Sequence, residues 1–267
     1  MKIKSLILSS LVSVLVLAPM AVQAAEVGAP AKSQGAVNFE EGTGTVDPTD
    51  PTNPDPKDPY VPEKPNPGGD GFLRIDQASD LNFGTMKIGK TSIGYAKDVK
   101  GNIAGTDSYI APYIQITDER SGDYKGWNLT MKASEFKAYT KGTEGTPGVL
   151  VPGAAINSAT IEFAVPYIQS NSAFPDEQKP VGQSVEIAAN DSVSNKELIT
   201  AAANKGGGQW SAIYAADIST KPEQSPTERA EGSKSGIKLT VPASAKKNKD
   251  YNYVSDLTWT IASTPEG

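Results

Sequence analysis

Residues 251–265 read YNYVSDLTWTIASTP. The odd positions carry Tyr251, Tyr253, Ser255, Leu257, Trp259 and Ile261, and the even ones Asn252, Val254, Asp256, Thr258 and Thr260. A period of two with the apolar side chains in one phase is the mark of a strand buried on one face. Residues 126–132, GWNLTMK, repeat the pattern: Trp127, Leu129 and Met131 share one face, Asn128, Thr130 and Lys132 the other. Two such tryptophan strands predict a β sandwich with one of them at each end.

Working outward, short alternating segments recur between Gly, Pro, Asn and Asp clusters from residue 72 onward. Strands are expected over residues 72–75, 81–83, 113–117, 126–133, 160–165, 184–187, 210–214, 237–241 and 251–262. The spacing is that of an all-β, sandwich-like domain with Greek-key type connections. The polar stretch 242–250 suggests that the last two strands close as a hairpin. One short helix is expected. Ser194 and Glu197 have capping-box spacing, residues 198–203 are good helix formers, and Gly206 supplies a left-handed stop.

Four regions follow. Residues 1–24 have the basic start, apolar centre and small-residue end of a signal peptide, with cleavage expected after Ala24. Residues 25–46 form a polar tail in which Val37 and Phe39, two apart, mark a possible docking strand at 36–39. Residues 47–70 contain DPTDPTNPDPKDPYVPEKPNP, where proline removes donors and fixes φ at every second or third position. This reads as a semi-rigid spacer, about 60 Å long if fully extended. Residues 71–267 hold the β domain.

Composition narrows the chemistry. The chain of 267 residues has no cysteine and no histidine. That removes disulfides, thiol nucleophiles, the usual general base, the Ser-His-Asp triad and the commonest zinc ligand. Paired carboxylates remain as a catalytic option. Asp118 and Glu119, or Asp176 and Glu177, are neighbours in sequence, and neighbours on a strand face opposite ways. No catalytic residue, metal or cofactor is expected. The formal charge of −6 grows more negative once Lys2 and Lys4 leave with the signal peptide, and there is no basic stripe for nucleic acid. The apolar run at 6–17 is shorter than the ~20 residues that span a bilayer, and no second such run occurs.

Trp127-Asn128-Leu129, together with Tyr253, Leu257, Thr258, Trp259, Thr260, Ile261 and Pro265 in the spacing Y-x-x-x-L-T-W-T-I-x-x-x-P, resembles the WxL family of Gram-positive cell-surface proteins. Ile261 stands where that family usually has Leu, a swap of similar volume. LRIDQASDLNFGTMKIG at 73–89, YIQITDERSGDYKGWNLT at 113–130 and GGGQW at 206–210 extend the likeness. The resemblance implies a secreted protein held non-covalently at the cell wall, with peptidoglycan or an associated wall polymer as its ligand. It also implies protein partners: other WxL proteins and membrane-anchored companions with immunoglobulin-like ectodomains. An adhesin or complex subunit, held at the wall through protein partners or binding host matrix proteins, is the alternative.

The motif residues just named are the binding candidates, and each has two readings. Trp127 and Trp259 are either core, as the apolar company of Leu129, Leu257 and Ile261 favours, or sugar-stacking platforms in a groove. Trp210, with weaker alternation around it, is expected to be the most exposed of the three. Asp118 and Arg120 form a turn brace or touch ligand. Lys246, Lys247 and Lys249 are a solvated hairpin tip or a contact for anionic wall polymer such as teichoic acid.

Overall fold

The computed structural model describes residues 33–39, 48–53, 60–103, 105–142, 148–170, 174–190 and 195–264. The signal peptide and Pro265 lie outside them. Contacts divide the chain into Met1–Phe39 and Glu40–Gly267. In the first unit residues 33–39 have no regular secondary structure, so the segment 36–39 carries no strand.

The second unit is built from strands. They run β1 (Tyr60–Pro62), β2 (Leu73–Ala78), β3 (Ser92–Tyr95), β4 (Val99–Ile103), β5 (Thr106–Ile110) and β6 (Tyr113–Asp118). Next come β7 (Trp127–Ala133), β8 (Lys137–Thr140), β9 (Thr160–Phe163), β10 (Tyr167–Ser170), β11 (Val181–Gly182) and β12 (Val185–Ala188). The last are β13 (Lys196–Ala201), β14 (Gly208–Ile213), β15 (Ile237–Val241), β16 (Tyr251–Val254) and β17 (Leu257–Ser263). Three four-stranded antiparallel sheets carry the architecture, in the orders β10-β14-β6-β2, β11-β13-β7-β17 and β12-β9-β15-β3. None of them pairs consecutive strands. The chain changes sheet after nearly every strand, which is the long-connection wiring of Greek-key sandwiches.

One core fills the space between these sheets. Ile75, Ile114, Ile116, Leu129, Met131, Ile161, Phe163, Ile187, Leu198, Trp210 and Leu239 all belong to it. The alternation seen in the sequence is visible in β7 and β15, where every second residue is buried and those between are more exposed.

Several expectations are corrected. The short helix does not form: Lys196–Ala201 is a strand, and the helical turn among the described residues is the 3-10 turn Asp176–Gln178. Burial outweighs propensity here, because Leu198, Ile199 and Ala201 enter the core between β11 and β7. The closing hairpin is also absent. β15 pairs with β9 and β3, whereas β16 pairs with β8 and β17 with β7. Residues 251–262 are two strands broken at Ser255 and Asp256, and residues 81–83 form none.

The described parts of the proline-rich stretch lie on the domain rather than standing free of it. Tyr60 is fully buried, and β1 adds to β4 at the edge of a small sheet, a position that tolerates proline. The helix and strand readings of 194–203 separate in a denaturation experiment. Leu198→Ala is expected to cost about 2–5 kcal/mol, as for a core leucine, while Glu197→Ala on the exposed face stays within about 0.5 kcal/mol, both read from urea unfolding midpoints.

Candidate functional site

The two tryptophan strands are not at opposite ends. They are hydrogen-bonded neighbours, with Trp127 opposite Ser263, Leu129 opposite Ile261, Met131 opposite Trp259 and Ala133 opposite Leu257. Because facing residues in an antiparallel pair share a side of the sheet, all the apolar motif residues project to one face. Trp127 and Leu129 are fully buried there. Leu257, Trp259 and Ile261 are half-buried against the same core, and the Trp259 ring meets Phe163 edge-on at 5.8 Å. W-x-L is therefore an in-out-in segment, with core as the reading that holds for Trp127.

A buried indole needs a partner for its N–H. Trp127 Nε1 donates to the carbonyl of Gly206 (3.0 Å) and Trp210 Nε1 to that of Gly207 (2.8 Å). Both rings thus dock on one glycine loop between β13 and β14. Trp210 is buried, at 2% exposure, which reverses the expectation that it would be the most exposed of the three. Gly206 has φ +76°, and a Cβ there would sit 2.4 Å from the Ala201 Cβ and 2.6 Å from the Trp127 indole nitrogen. Only glycine fits that space.

The turn before β7 is braced. Arg120 forks onto Asp118 through Nε (2.8 Å) and Nη2 (2.7 Å), and its remaining donors reach the Gly126 carbonyl (2.9 Å) and the Ser263 hydroxyl (2.7 Å). The Asp118 side chain is fully buried. This one guanidinium joins the end of β6, the start of β7 and the end of β17.

On the outward face the same two strands present a different set. Thr130 stands opposite Thr260, Lys132 opposite Thr258 and Asn128 opposite Ala262. Thr258, Thr260, Ala262 and Lys132 are exposed, Asn128 and Thr130 half-buried. Asn128 donates to Glu197 (3.3 Å), and Asn195 donates to the Thr130 hydroxyl (3.3 Å). The result is a face of hydroxyls, amides and methyl groups with one cation, Lys132, on the β7–β17 pair.

The remaining candidates lie elsewhere. Tyr253 is on β16, half-buried, its hydroxyl accepting the Asn248 N–H at 3.0 Å. The lysines occupy the loop between β15 and β16, which is not a hairpin tip. Lys247 Nζ donates to the Lys90 carbonyl (3.0 Å) and Lys249 pairs with Asp250 (2.9 Å), while Lys246 is exposed. Among the described residues there is no group of three or more His, Cys, Asp or Glu side chains suited to a metal, and no helix long and apolar enough to cross a membrane. What sequence reasoning missed is the part of the outward face that Thr130 and Lys132 add to the candidates Asn128, Thr258 and Thr260. Its signal was present in the even phase of both motif strands.

The glycine loop yields a prediction. Gly206→Ala should destabilise the chain by about 1–3 kcal/mol from the left-handed backbone alone and further through overlap with the Trp127 ring. Urea titration followed by indole fluorescence reads this directly.

No match was found among curated proteins or among solved structures. A family model described as WxL domain surface cell wall-binding matches residues 26–265, nearly the whole chain. That match covers both tryptophan strands, the glycine loop and the Arg120 brace, and the chain accordingly belongs to the WxL family of surface cell wall-binding domains.

Proposed function

We propose that the chain holds to the wall non-covalently by binding peptidoglycan, and that the outward face of β7 and β17 carries the contact. The observation behind this reading is the division of labour within the motif: its indole and leucine are spent on the core, so what the two strands offer a partner is Asn128, Thr130, Thr258, Thr260 and Lys132. Hydroxyl and amide groups on a flat surface match the hydroxyl and acetamido groups of a glycan strand. Each exposed contact is weak, and a repetitive polymer lets many of them add.

Lys246, exposed on the loop between β15 and β16, is suited to anionic wall polymer. A place in a surface complex with other WxL proteins and membrane-anchored companions bearing immunoglobulin-like ectodomains belongs to the same proposal. Avidity in such an assembly would raise retention.

Sedimentation with purified peptidoglycan tests this. The wild type should pellet with walls stripped of teichoic acid. A chain carrying Thr130→Ala, Thr258→Ala and Thr260→Ala should bind at least about tenfold more weakly, a loss of ~1.4 kcal/mol, while remaining folded by circular dichroism. A wild type that stays in solution with bare peptidoglycan, and pellets only when companion proteins are present, would replace this reading with that of a complex subunit.

A further inference from the structure

Thr117, Asp76 and Gln209 are all buried, on three neighbouring strands of the sheet β10-β14-β6-β2. Thr117 on β6 stands directly opposite Gln209 on β14, so their side chains share a face. Both meet the carboxylate of Asp76, on β2, at the same oxygen. Thr117 Oγ1 donates to Oδ2 at 2.6 Å, and Gln209 Nε2 donates to it at 3.2 Å. The other oxygen, Oδ1, accepts the Arg74 Nε–H at 3.1 Å.

A hydroxyl, a base and a primary amide gathered in this way are the parts of an acyl transfer. The bond from Thr117 has the length of a hydroxyl donating to an ionised carboxylate, which puts its proton on a base. Burial holds the Asp76 carboxyl above its usual pKa, outweighing the bonds from Thr117, Gln209 and Arg74 that lower it, and so makes it a better proton acceptor. The amide carbonyl has a donor of its own. Thr49 Oγ1 donates to Gln209 Oε1 at 2.9 Å, while Gln115 Nε2 donates to that Thr49 hydroxyl at 2.9 Å and so turns its proton toward Gln209. The span of a Thr–Gln ester from Cβ to Cβ, about 5 Å, matches the ~4.5–5.5 Å between facing Cβ atoms of an antiparallel pair.

We propose that Thr117 and Gln209 join in an intramolecular ester, with Asp76 as the proton carrier and ammonia as the product released. Asp76 Oδ2 takes the hydroxyl proton as Thr117 Oγ1 bonds to Gln209 Cδ, and the Thr49 hydroxyl steadies the negative charge on Oε1. The Cδ–Nε2 bond then breaks, Asp76 returns the proton to the nitrogen, and ammonia leaves. Alcohol and amide become ester and ammonia, with nothing oxidised or reduced. Protonation and dilution of the ammonia in bulk water draw the exchange forward, and burial keeps hydrolytic water from the ester. The reaction runs once per chain. In a protein without cysteine it ties β6 to β14 covalently, where no disulfide can.

Mass spectrometry of the purified, folded chain tests this. The intact mass should fall short of the sequence mass by one ammonia, and a tryptic digest should contain one branched peptide that joins the pieces carrying Thr117 and Gln209. Thr117→Val and Asp76→Asn, each folded by circular dichroism, should show no such deficit and give the two peptides separately. A wild type of full sequence mass overturns the proposal, and so does a missing ammonia that maps to a succinimide while the two peptides stay apart. An ester from Thr49 overturns the assignment of Thr117, and one that persists in Asp76→Asn overturns that of the proton carrier. Should a variant fail to fold, the wild-type digest decides alone.

Discussion

An indole inside a protein carries an N–H that water no longer serves, and leaving such a donor unpaired costs about 1–3 kcal/mol. In this chain two of the three indoles meet that demand at adjacent carbonyls, Gly206 and Gly207. The loop that supplies them joins β13, the neighbour of β7, to β14 of a different sheet. Two sheets are thereby held to one short stretch of backbone that no side chain obstructs. The Arg120 fork adds a second tie, from the end of β6 to the ends of β7 and β17. Around these ties apolar packing fills the space between the sheets.

The strands with unbroken alternation, such as β7 and β15, were legible in the sequence, and so was the all-β class. What escaped has identifiable causes. β13 has a register shift between Glu197 and Ile199, so Leu198 and Ile199 are both buried. A bulge of this kind erases the period of two, and with the period gone the helix propensity of the segment misled. Pairing of β7 with β17 spans more than a hundred residues and leaves no local trace, so two strands that look alike gave no sign of lying side by side. Prolines in residues 47–67 announced missing donors. Nothing nearby announced that Gln77, Gln115 and Gln169 on a distant sheet would donate to the carbonyls of Lys64, Thr49 and Pro51.

For the candidate site, the sequence singled out the two motif strands and could not tell which of their side chains the core takes. The family's named residues are the conspicuous ones, and conspicuous apolar residues on a half-buried strand are those the core needs. Trp127 and Leu129 face inward, and Asn128 between them faces out. A motif of this kind fixes a surface without forming it. The apolar phase sets the register of β7 against β17, and that register lines up the threonines opposite.

The central claim is that the indoles serve packing and not the wall. Collisional quenching by neutral acrylamide, measured for the chain free and pelleted on purified peptidoglycan, addresses it most directly. The account predicts that quenching is low for the free chain, limited to the half-buried Trp259, and unchanged on the wall. Strong quenching in solution that disappears on binding would mean that an indole lies against the glycan, and would contradict it.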